Sequence, residues 1–209
     1  MYKSVLDYFE ETVQRVPEKM AVRHKGEACT FAELQEKAKK LGSYIVELTG
    51  SAKNRPIVVL LSKSIEAVIS DLGISYSCNI FNNLDIKTPV HRLENIIKLL
   101  EPVMVITNDA YKDIMDWKKY GVTLLNLDSL DEIKMNVNTE ELQKRRNELV
   151  DTDPFCIINT SGSTGTPKGV VLNYRSFFDF VRWADETFSF DGEEIIGELS
   201  PIVFDIYDF

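Results

Sequence analysis

The hydrophobic and polar positions along the chain follow two spacings, one typical of helices and one typical of buried strands. After Thr30, apolar residues recur at steps of three and four, as they do on one face of a helix. Thr30 and Glu33 form a capping-box pattern at the start of that helix, and Gly50 is a natural stop. The continuously apolar run 56–61 is typical of a strand buried on both faces of a sheet.

Applied to the whole chain, these spacings predict alternating helices and strands. The predicted helices cover 5–16, 31–48, 65–76, 89–100, 111–120, 140–149 and 174–188. The predicted strands cover 56–61, 79–82, 103–107, 122–127, 155–158, 170–172 and 195–199. Such alternation is typical of a layered α/β fold with largely parallel sheets flanked by helices. We expect one compact unit, with a subdomain seam near 128–153.

Composition excludes two classes of partner. The chain has 209 residues, of which 24 are basic and 33 acidic, and its formal net charge is −9. This balance argues against a nucleic-acid partner, because binding to a phosphate backbone depends on a basic surface. No run approaches the ~20 apolar residues that a membrane span needs, and Asp7 comes too early for a signal peptide. We therefore expect a cytoplasmic protein with no membrane partner.

The cysteines predict neither a metal site nor disulfides. Cys29, Cys78 and Cys156 are widely spaced, and no C-x-x-C or Cys/His cluster is present. We interpret each cysteine as a small core residue in a reducing compartment.

Two tryptophans and one charged helix have ordinary structural interpretations. Trp117 and Trp183 stand among apolar residues at helical spacing, and we expect both to lie in the core. The charges of 140–146 follow the i, i+4 spacing of an exposed helix face, which predicts solvated side chains. His24 and His91 are isolated, and we assign them no catalytic role.

The candidate chemistry is concentrated in residues 159–170, which read Asn-Thr-Ser-Gly-Ser-Thr-Gly-Thr-Pro-Lys-Gly-Val. Glycines allow a backbone to approach an anion closely, and successive N–H groups can surround it. Hydroxyl groups add hydrogen-bond donors, and Lys168 adds a positive charge. This composition predicts a phosphate-binding loop. Its candidate residues are Thr160, Ser161, Gly162, Ser163, Thr164, Gly165, Thr166, Lys168 and Gly169.

The loop matches neither of two common nucleotide-binding motifs. Pro167 stands where a Walker A loop would have its second glycine, and there is no G-x-G-x-x-G. A flexible linker is also a poor interpretation, because the apolar runs 155–158 and 170–172 flank the loop as predicted buried strands.

The segment 160–169 closely resembles the phosphate-binding signature of the adenylate-forming enzymes. That superfamily includes acyl-CoA synthetases, luciferases, D-alanine–carrier protein ligases and the adenylation domains of nonribosomal peptide synthetases. Three further segments on either side of it are similar to family motifs and stand in the expected order. These are 30–34, 72–85 together with 91–93, and Phe204-Asp205, which is similar to the "F-D-x-S" of amino-acid-activating members.

The chain departs from the family pattern at three places, which indicates a divergent member. Residues 77–79 read Ser-Cys-Asn where relatives usually carry glycines. Residues 82–85 read Asn-Asn-Leu-Asp and lack the usual proline. Tyr207 stands where "F-D-x-S" has serine.

The resemblance implies an ATP-dependent ligase that uses Mg²⁺ and activates an amino-acid carboxylate as an aminoacyl-adenylate. The loop would steady the β- and γ-phosphates while pyrophosphate leaves, with Lys168 as a catalytic residue. Phe204 and Asp205 would bind the substrate, with Asp205 paired to its α-ammonium group. A carrier protein with a phosphopantetheine thiol would then accept the aminoacyl group.

The resemblance also sets expectations about the extent of the chain and leaves two alternatives. Residues 1–209 correspond to the N-terminal portion of an adenylation domain, without its C-terminal part and small mobile domain, so we expect no turnover by this portion alone. One alternative is a fragment of an acyl-CoA or aryl-CoA ligase, for which Asp205 would not face the acyl pocket. The other is a non-catalytic module that binds a nucleotide or a partner protein.

Overall fold

Six α-helices and eight strands alternate in the part of the chain that the computed structural model describes, residues 2–132, 136–161 and 167–203. The helices are α1 Val5–Arg15, α2 Phe31–Thr49, α3 Ile65–Tyr76, α4 Val90–Leu100, α5 Thr139–Glu148 and α6 Tyr174–Phe188. The strands are β1 Met20–His24, β2 Glu27–Thr30, β3 Pro56–Val59, β4 Ile80–Asn83, β5 Met104–Thr107, β6 Thr123–Asn126, β7 Pro154–Ser161 and β8 Pro167–Asn173. None of these helices is long and apolar enough to cross a lipid bilayer.

Six of the strands form one sheet in the order β6-β5-β3-β4-β7-β8. Neighbouring strands from β6 to β7 run parallel, and β8 returns antiparallel beside β7. The predicted layered α/β fold with a largely parallel sheet is therefore confirmed. Because β3 to β7 all run in the same direction, their carboxyl ends meet at one edge of the sheet, which we call the carboxyl edge.

Helices cover both faces of this sheet, which is why the central strand β3 is continuously apolar. On one face, Ile57 and Val59 of β3 belong to the same buried cluster as Ile74 of α3. On the other face, Val58 of β3 belongs to a second cluster with Ile96 of α4. Successive residues of β3 thus enter opposite clusters, as the two-residue period of a strand requires.

Helix α2 begins and ends at the residues that the sequence predicts. The Thr30 hydroxyl accepts the N–H of Glu33 at 3.2 Å, and the Glu33 carboxylate accepts the N–H of Thr30 at 2.9 Å. The helix ends at Gly50, whose φ of 60° is easily adopted by glycine. Near its middle, a Cβ added to Gly42 would lie 2.8 Å from the Cβ of Tyr76. This close approach fixes α3, and hence the start of β4, against α2.

The predicted helix over 111–120 is wrong. Turns follow β5 and lead to a 3-10 helix, Trp117–Tyr120. The indole N–H of Trp117 donates to the carbonyl oxygen of Lys112 at 2.6 Å. In an α-helix that carbonyl would accept the N–H of the residue four positions later, so the buried tryptophan takes the place of a helical hydrogen bond.

The predicted strand over 195–199 is also wrong. Ile195 and Leu199 are 97% and 94% exposed, and no described strand pairs with this segment. A strand needs a neighbour for its N–H and C=O groups. The apolar residues of 195–199 favour a strand by their composition, but no strand in the described residues pairs with them.

Trp117 is buried as predicted, whereas the prediction that Trp183 lies in the core is wrong. Trp183 is 51% exposed, and its ring contacts Phe180 and Phe188. The buried face of α6 carries Phe177 instead. The apolar stripe of α6 is wider than the face that the core covers, so helical spacing alone overstated the burial of Trp183.

The prediction that the charges of α5 are all solvated is wrong for Arg145, which is only 4% exposed. Its guanidinium donates to the carbonyl oxygens of Gly50, Ala52 and Ser77, the last two at 2.9 and 3.1 Å. Gly50 and Ser77 are the C-cap residues of α2 and α3, neither of which has a basic residue in its own last turn. Arg145 therefore supplies the positive charge that both helix ends favour.

The β1–β2 hairpin is an element that the hydrophobic spacing did not predict. Lys25 and Gly26 form its turn, with φ angles of 48° and 89°. Its strands are mostly exposed or half-buried, so they lack the apolar run that identified the central strands.

Candidate functional site

The predicted phosphate-binding loop lies at the turn of the β7–β8 hairpin. Antiparallel pairing extends from Pro154 opposite Asn173 to Ser161 opposite Pro167. Residues 162–166 lie outside the described residues, but this pairing fixes the position of both ends of the loop. Because β7 runs parallel to β4, the end of β7 and the start of β8 lie at the carboxyl edge. In open α/β sheets, ligands bind at this edge.

Thr160 and Lys168 lie directly opposite each other in the hairpin. Directly opposite residues of an antiparallel pair project from the same face, so the hydroxyl and the ammonium group are neighbours. Both residues are exposed. In the described ranges of the chain, no carboxylate forms an ion pair with Lys168. The ammonium group is therefore accessible to an anionic ligand at the root of the loop.

The remaining candidate residues are only partly within the structure. Ser161 is described through its backbone alone, as the last residue of β7. The candidates outside the described residues are Gly162, Ser163, Thr164, Gly165, Thr166, Phe204 and Asp205, together with Tyr207. The structure thus brings Thr160, Lys168 and Gly169 together and leaves the proposed role of Asp205 a prediction.

Gly169 is required for packing and not for an unusual backbone angle. A Cβ added at this position would lie 3.0 Å from Cγ2 of Ile157 and 3.5 Å from Cδ2 of Leu100. Leu100 belongs to α4, so the absent side chain lets the hairpin lie close to that helix. The glycine that follows Lys168 therefore helps to hold the hairpin against the sheet.

We expect Gly169→Ala to lower the free energy of unfolding by about 1–3 kcal/mol, the usual cost of overpacking a tight contact. Urea unfolding followed by circular dichroism measures this change. Gly197→Ala is the matched control, because no atom lies within 4 Å of the Cβ it would add. Equal unfolding free energies for the two variants would show that the contact with Ile157 relaxes without cost.

The sequence interpretation missed a group of amide side chains at the carboxyl edge. Asn82 is 0% exposed, and its Nδ2 donates to the carbonyl oxygen of Ile157 at 2.6 Å. The Nδ2 of Asn159 donates to Oδ1 of Asn82 at 3.0 Å. Beside them, Nδ2 of Asn83 donates to Asp71 at 3.1 Å. The sequence feature that could have predicted this group is the Asn82-Asn83 pair, in the segment that lacks the usual proline.

The chain returns to the carboxyl edge before residue 204. Lys63 follows β3, and its Nζ lies 3.4 Å from Oε1 and 3.3 Å from the carbonyl oxygen of Glu198. Ile202 is 6% exposed and belongs to the same buried cluster as Leu61. Val203, which is half-buried, packs against that cluster. The residues leading to the predicted substrate-binding pair therefore lie near the ends of the central strands.

The cysteines do not offer a nucleophile to this site. Cys29, Cys78 and Cys156 are all buried, which confirms their interpretation as core residues. Burial raises the pKa of the Cys78 thiol to about 12 and also raises the pKa of Cys29. Both thiols are therefore protonated near neutral pH, and only the thiolate is nucleophilic.

Together these features define an α/β protein in which a hydroxyl-rich and glycine-rich segment joins two antiparallel strands whose paired ends lie at the carboxyl edge of the sheet. The chain belongs to the AMP-binding enzyme family, whose model matches residues 9–207. The family resemblance of the sequence motifs is thereby confirmed.

Two curated relatives illustrate the relationship. Zwittermicin A synthase ZmaJ of Bacillus cereus is 29% identical over 200 residues, which cover 95% of this chain and 36% of that protein. The D-alanine–D-alanyl carrier protein ligase of Listeria innocua is 26% identical over 207 residues, which cover 99% of this chain and 40% of that protein. The chain thus spans well under half the length of these relatives.

Solved structures show the same fold. The nonribosomal peptide synthetase FmoA3 matches with a TM-score of 0.84 at 24% identity, over 98% of this chain and 21% of that chain. Its AMPPNP-bound form matches with a TM-score of 0.82 at 23% identity over the same shares. The structure of VinN matches with a TM-score of 0.81 at 19% identity, over 100% of this chain and 54% of that chain.

Proposed function

We propose that the chain forms part of an enzyme that activates an amino acid with ATP. The reaction joins a carboxylate oxygen of the amino acid to the α-phosphorus of ATP and releases pyrophosphate. The aminoacyl group then passes to the thiol of a carrier protein. The observation that carries the proposal is the position of the paired ends of β7 and β8 at the carboxyl edge, with Thr160 and Lys168 on one face. The name of the D-alanyl carrier protein ligase relative supports both the amino acid and the carrier.

Lys168 and the loop would reduce the electrostatic repulsion between the two anionic reactants. A carboxylate and a triphosphate are both anionic, so they repel as they approach. Fixed donors and positive charge offset that repulsion, and they act most strongly where charge develops in the transition state. Lys168 would contribute the charge, and the hydroxyl and N–H groups of 160–166 would contribute the donors.

Mg²⁺ would be held mainly by the phosphate groups of the nucleotide. In the described ranges, no group of three or more His, Cys, Asp or Glu side chains could hold a metal ion. Mg²⁺ commonly binds through one or two carboxylates together with substrate phosphates and water. Mg²⁺ bound to ATP in this way would help to neutralise the charge of the phosphate groups.

Asp205 would select an amino acid by pairing with its α-ammonium group. A site built around such a pair discriminates strongly against an acid that lacks the ammonium, because the carboxylate would then remain buried without a partner. Support comes from the path of the chain, since Glu198 and Ile202 lie at the carboxyl edge shortly before Asp205.

Amino-acid-dependent exchange of labelled pyrophosphate into ATP tests the proposal. The assay would use the complete product of the reading frame and a panel of L-amino acids, D-alanine, fatty acids and aryl acids. We expect exchange with at least one amino acid, and its loss in Asp205→Asn, which removes the charge but keeps the shape. Exchange only with fatty or aryl acids would favour a CoA ligase. ATP binding without any exchange would favour a non-catalytic module.

A further inference from the structure

The loop-bearing hairpin is attached to the parallel part of the sheet by a short backbone ladder. In the described residues, β4 and β7 are in register at a single pair, Phe81 and Cys156. By contrast, β3 and β4 pair along the whole of both strands, from Pro56 to Val59. The hairpin itself pairs along nearly all of β7 and β8. The hairpin is thus paired along its own length, and its backbone register with β4 is set at Phe81 and Cys156.

Two asparagine side chains continue this junction where the backbone ladder stops. Asn82 follows Phe81, and its Nδ2 donates across the junction to the carbonyl oxygen of Ile157 at 2.6 Å. Asn159 then donates its Nδ2 to Oδ1 of Asn82 at 3.0 Å. The two amides form a chain of hydrogen bonds that runs along β7 towards the carboxyl edge. They add side-chain hydrogen bonds to the backbone pairing at this junction.

The amide chain ends at the root of the phosphate-binding loop. Asn159 lies opposite Gly169 in the hairpin, and both adjoin the Thr160–Lys168 pair. Oδ1 of Asn159 is buried and has no hydrogen-bond partner in the described part of the chain. A buried acceptor without a partner is costly. This acceptor is therefore available to a donor at the adjoining loop or to water.

We propose that Asn82 and Asn159 are positioning residues, whose buried amide pair holds the phosphate-binding hairpin at the carboxyl edge. The inference rests on the proposed function and adds two residues to it. We assign neither residue a contact with the nucleotide. Each acts through the loop, by fixing the position of Thr160 and Lys168 along the strand direction relative to the ends of the central strands. Misplacement of such groups by about 1 Å costs on the order of 100-fold in rate.

Asn79 provides a matched control on the same segment of the chain. It is 1% exposed, accepts the N–H of Arg55 at 3.1 Å and donates to Oγ of Ser77 at 3.0 Å. It therefore resembles Asn82 in burial and in the number of its bonds. It lies before β4, however, at the end of the sheet opposite the loop.

The test compares Asn82→Leu, Asn159→Leu and Asn79→Leu in the complete product of the reading frame. Leucine keeps the branched shape and removes the amide. We expect Asn82→Leu and Asn159→Leu each to lower kcat for pyrophosphate exchange about tenfold or more, and to speed hydrogen exchange of the β7–β8 amides. Asn79→Leu should keep kcat within about twofold of the wild-type value, even if it lowers the melting temperature as much as the other two variants do. Because the two residues act as one pair, the double variant at 82 and 159 should have a kcat no lower than that of the more impaired single variant.

Each outcome supports or overturns the inference. Asn159 is half-buried, so Asn159→Leu keeps the test decisive if Asn82→Leu fails to fold. If the wild type is active and the three variants have equal kcat values, the positioning role is overturned while the proposed function stands. If the wild type shows no exchange with any acid, the proposed function fails and the positioning role fails with it.

Discussion

Replacing Lys168 with alanine is expected to lower the rate of amino-acid-dependent pyrophosphate exchange by about 100- to 1,000-fold. That factor is the usual loss when one preorganised group that stabilises developing charge is removed. Lys168 is exposed and lies opposite Thr160 at the root of the loop. Its removal should therefore leave the free energy of unfolding within about 0.5 kcal/mol of the wild-type value, as is usual for surface positions.

Two comparisons make this result specific. Lys40→Ala removes a positive charge from α2, where Lys40 pairs with Glu36, and should leave exchange unchanged. Lys168→Arg keeps the charge but replaces a compact ammonium with a planar guanidinium, and it should restore only part of the rate. Wild-type exchange by Lys168→Ala, measured with saturating ATP and amino acid, would remove Lys168 from the mechanism.

Replacing Arg145 with methionine is expected to lower the free energy of unfolding by about 3–5 kcal/mol, the range for breaking a buried charged network. The side chain is 4% exposed and serves the C-terminal ends of two helices at once. Without it, the carbonyl oxygens of Gly50 and Ser77 lose a charged donor. Since small proteins are stable by only about 5–15 kcal/mol, this loss should be obvious in urea unfolding.

Lys144→Ala on the same helix is the control for this prediction. Lys144 lies 3.8 Å from Glu141, and its side chain is 68% exposed. Surface ion pairs of this kind contribute about 0–1 kcal/mol. Arg145→Lys should be intermediate, because one ammonium group cannot reach three carbonyls in the fixed geometry of a guanidinium. A loss below about 1 kcal/mol in Arg145→Met would contradict the proposed clamp on the helix ends.

The central α/β layering could be predicted because local signals agreed with the long-range pairing. The capping box of Thr30 and Glu33 fixes the start of α2 through bonds within four residues of sequence. The apolar run at 56–61 has to be buried on both faces, which only the centre of a sheet provides. In these cases residues close in sequence determine which element forms and where it begins.

The errors fall where the outcome depends on distant partners. Arg145 has the same spacing as a solvated helix charge, and its burial is decided by α2 and α3. Residues 195–199 have the composition of a strand, but pairing is a property of two segments. Trp117 donates to Lys112 only because its ring is held in the core. The periodicity of one segment gives no information about its contacts with other segments.

The candidate site was predictable in part. The composition of residues 160–169 predicts a loop, and the structure places the strand ends on either side of it at the carboxyl edge. The roles of Asn82 and Asn159 could not be seen in sequence, because their bond joins residues that are 77 positions apart. The role of Asp205 rests on its resemblance to a motif and remains a prediction.

The most direct test of the account is a crystal structure of the protein with AMPPNP and Mg²⁺. The account predicts the β- and γ-phosphates at the turn of the β7–β8 hairpin, with Nζ of Lys168 about 3 Å from a phosphate oxygen. Phosphates bound elsewhere, with Lys168 directed away from them, would contradict the claim that this hairpin holds the nucleotide.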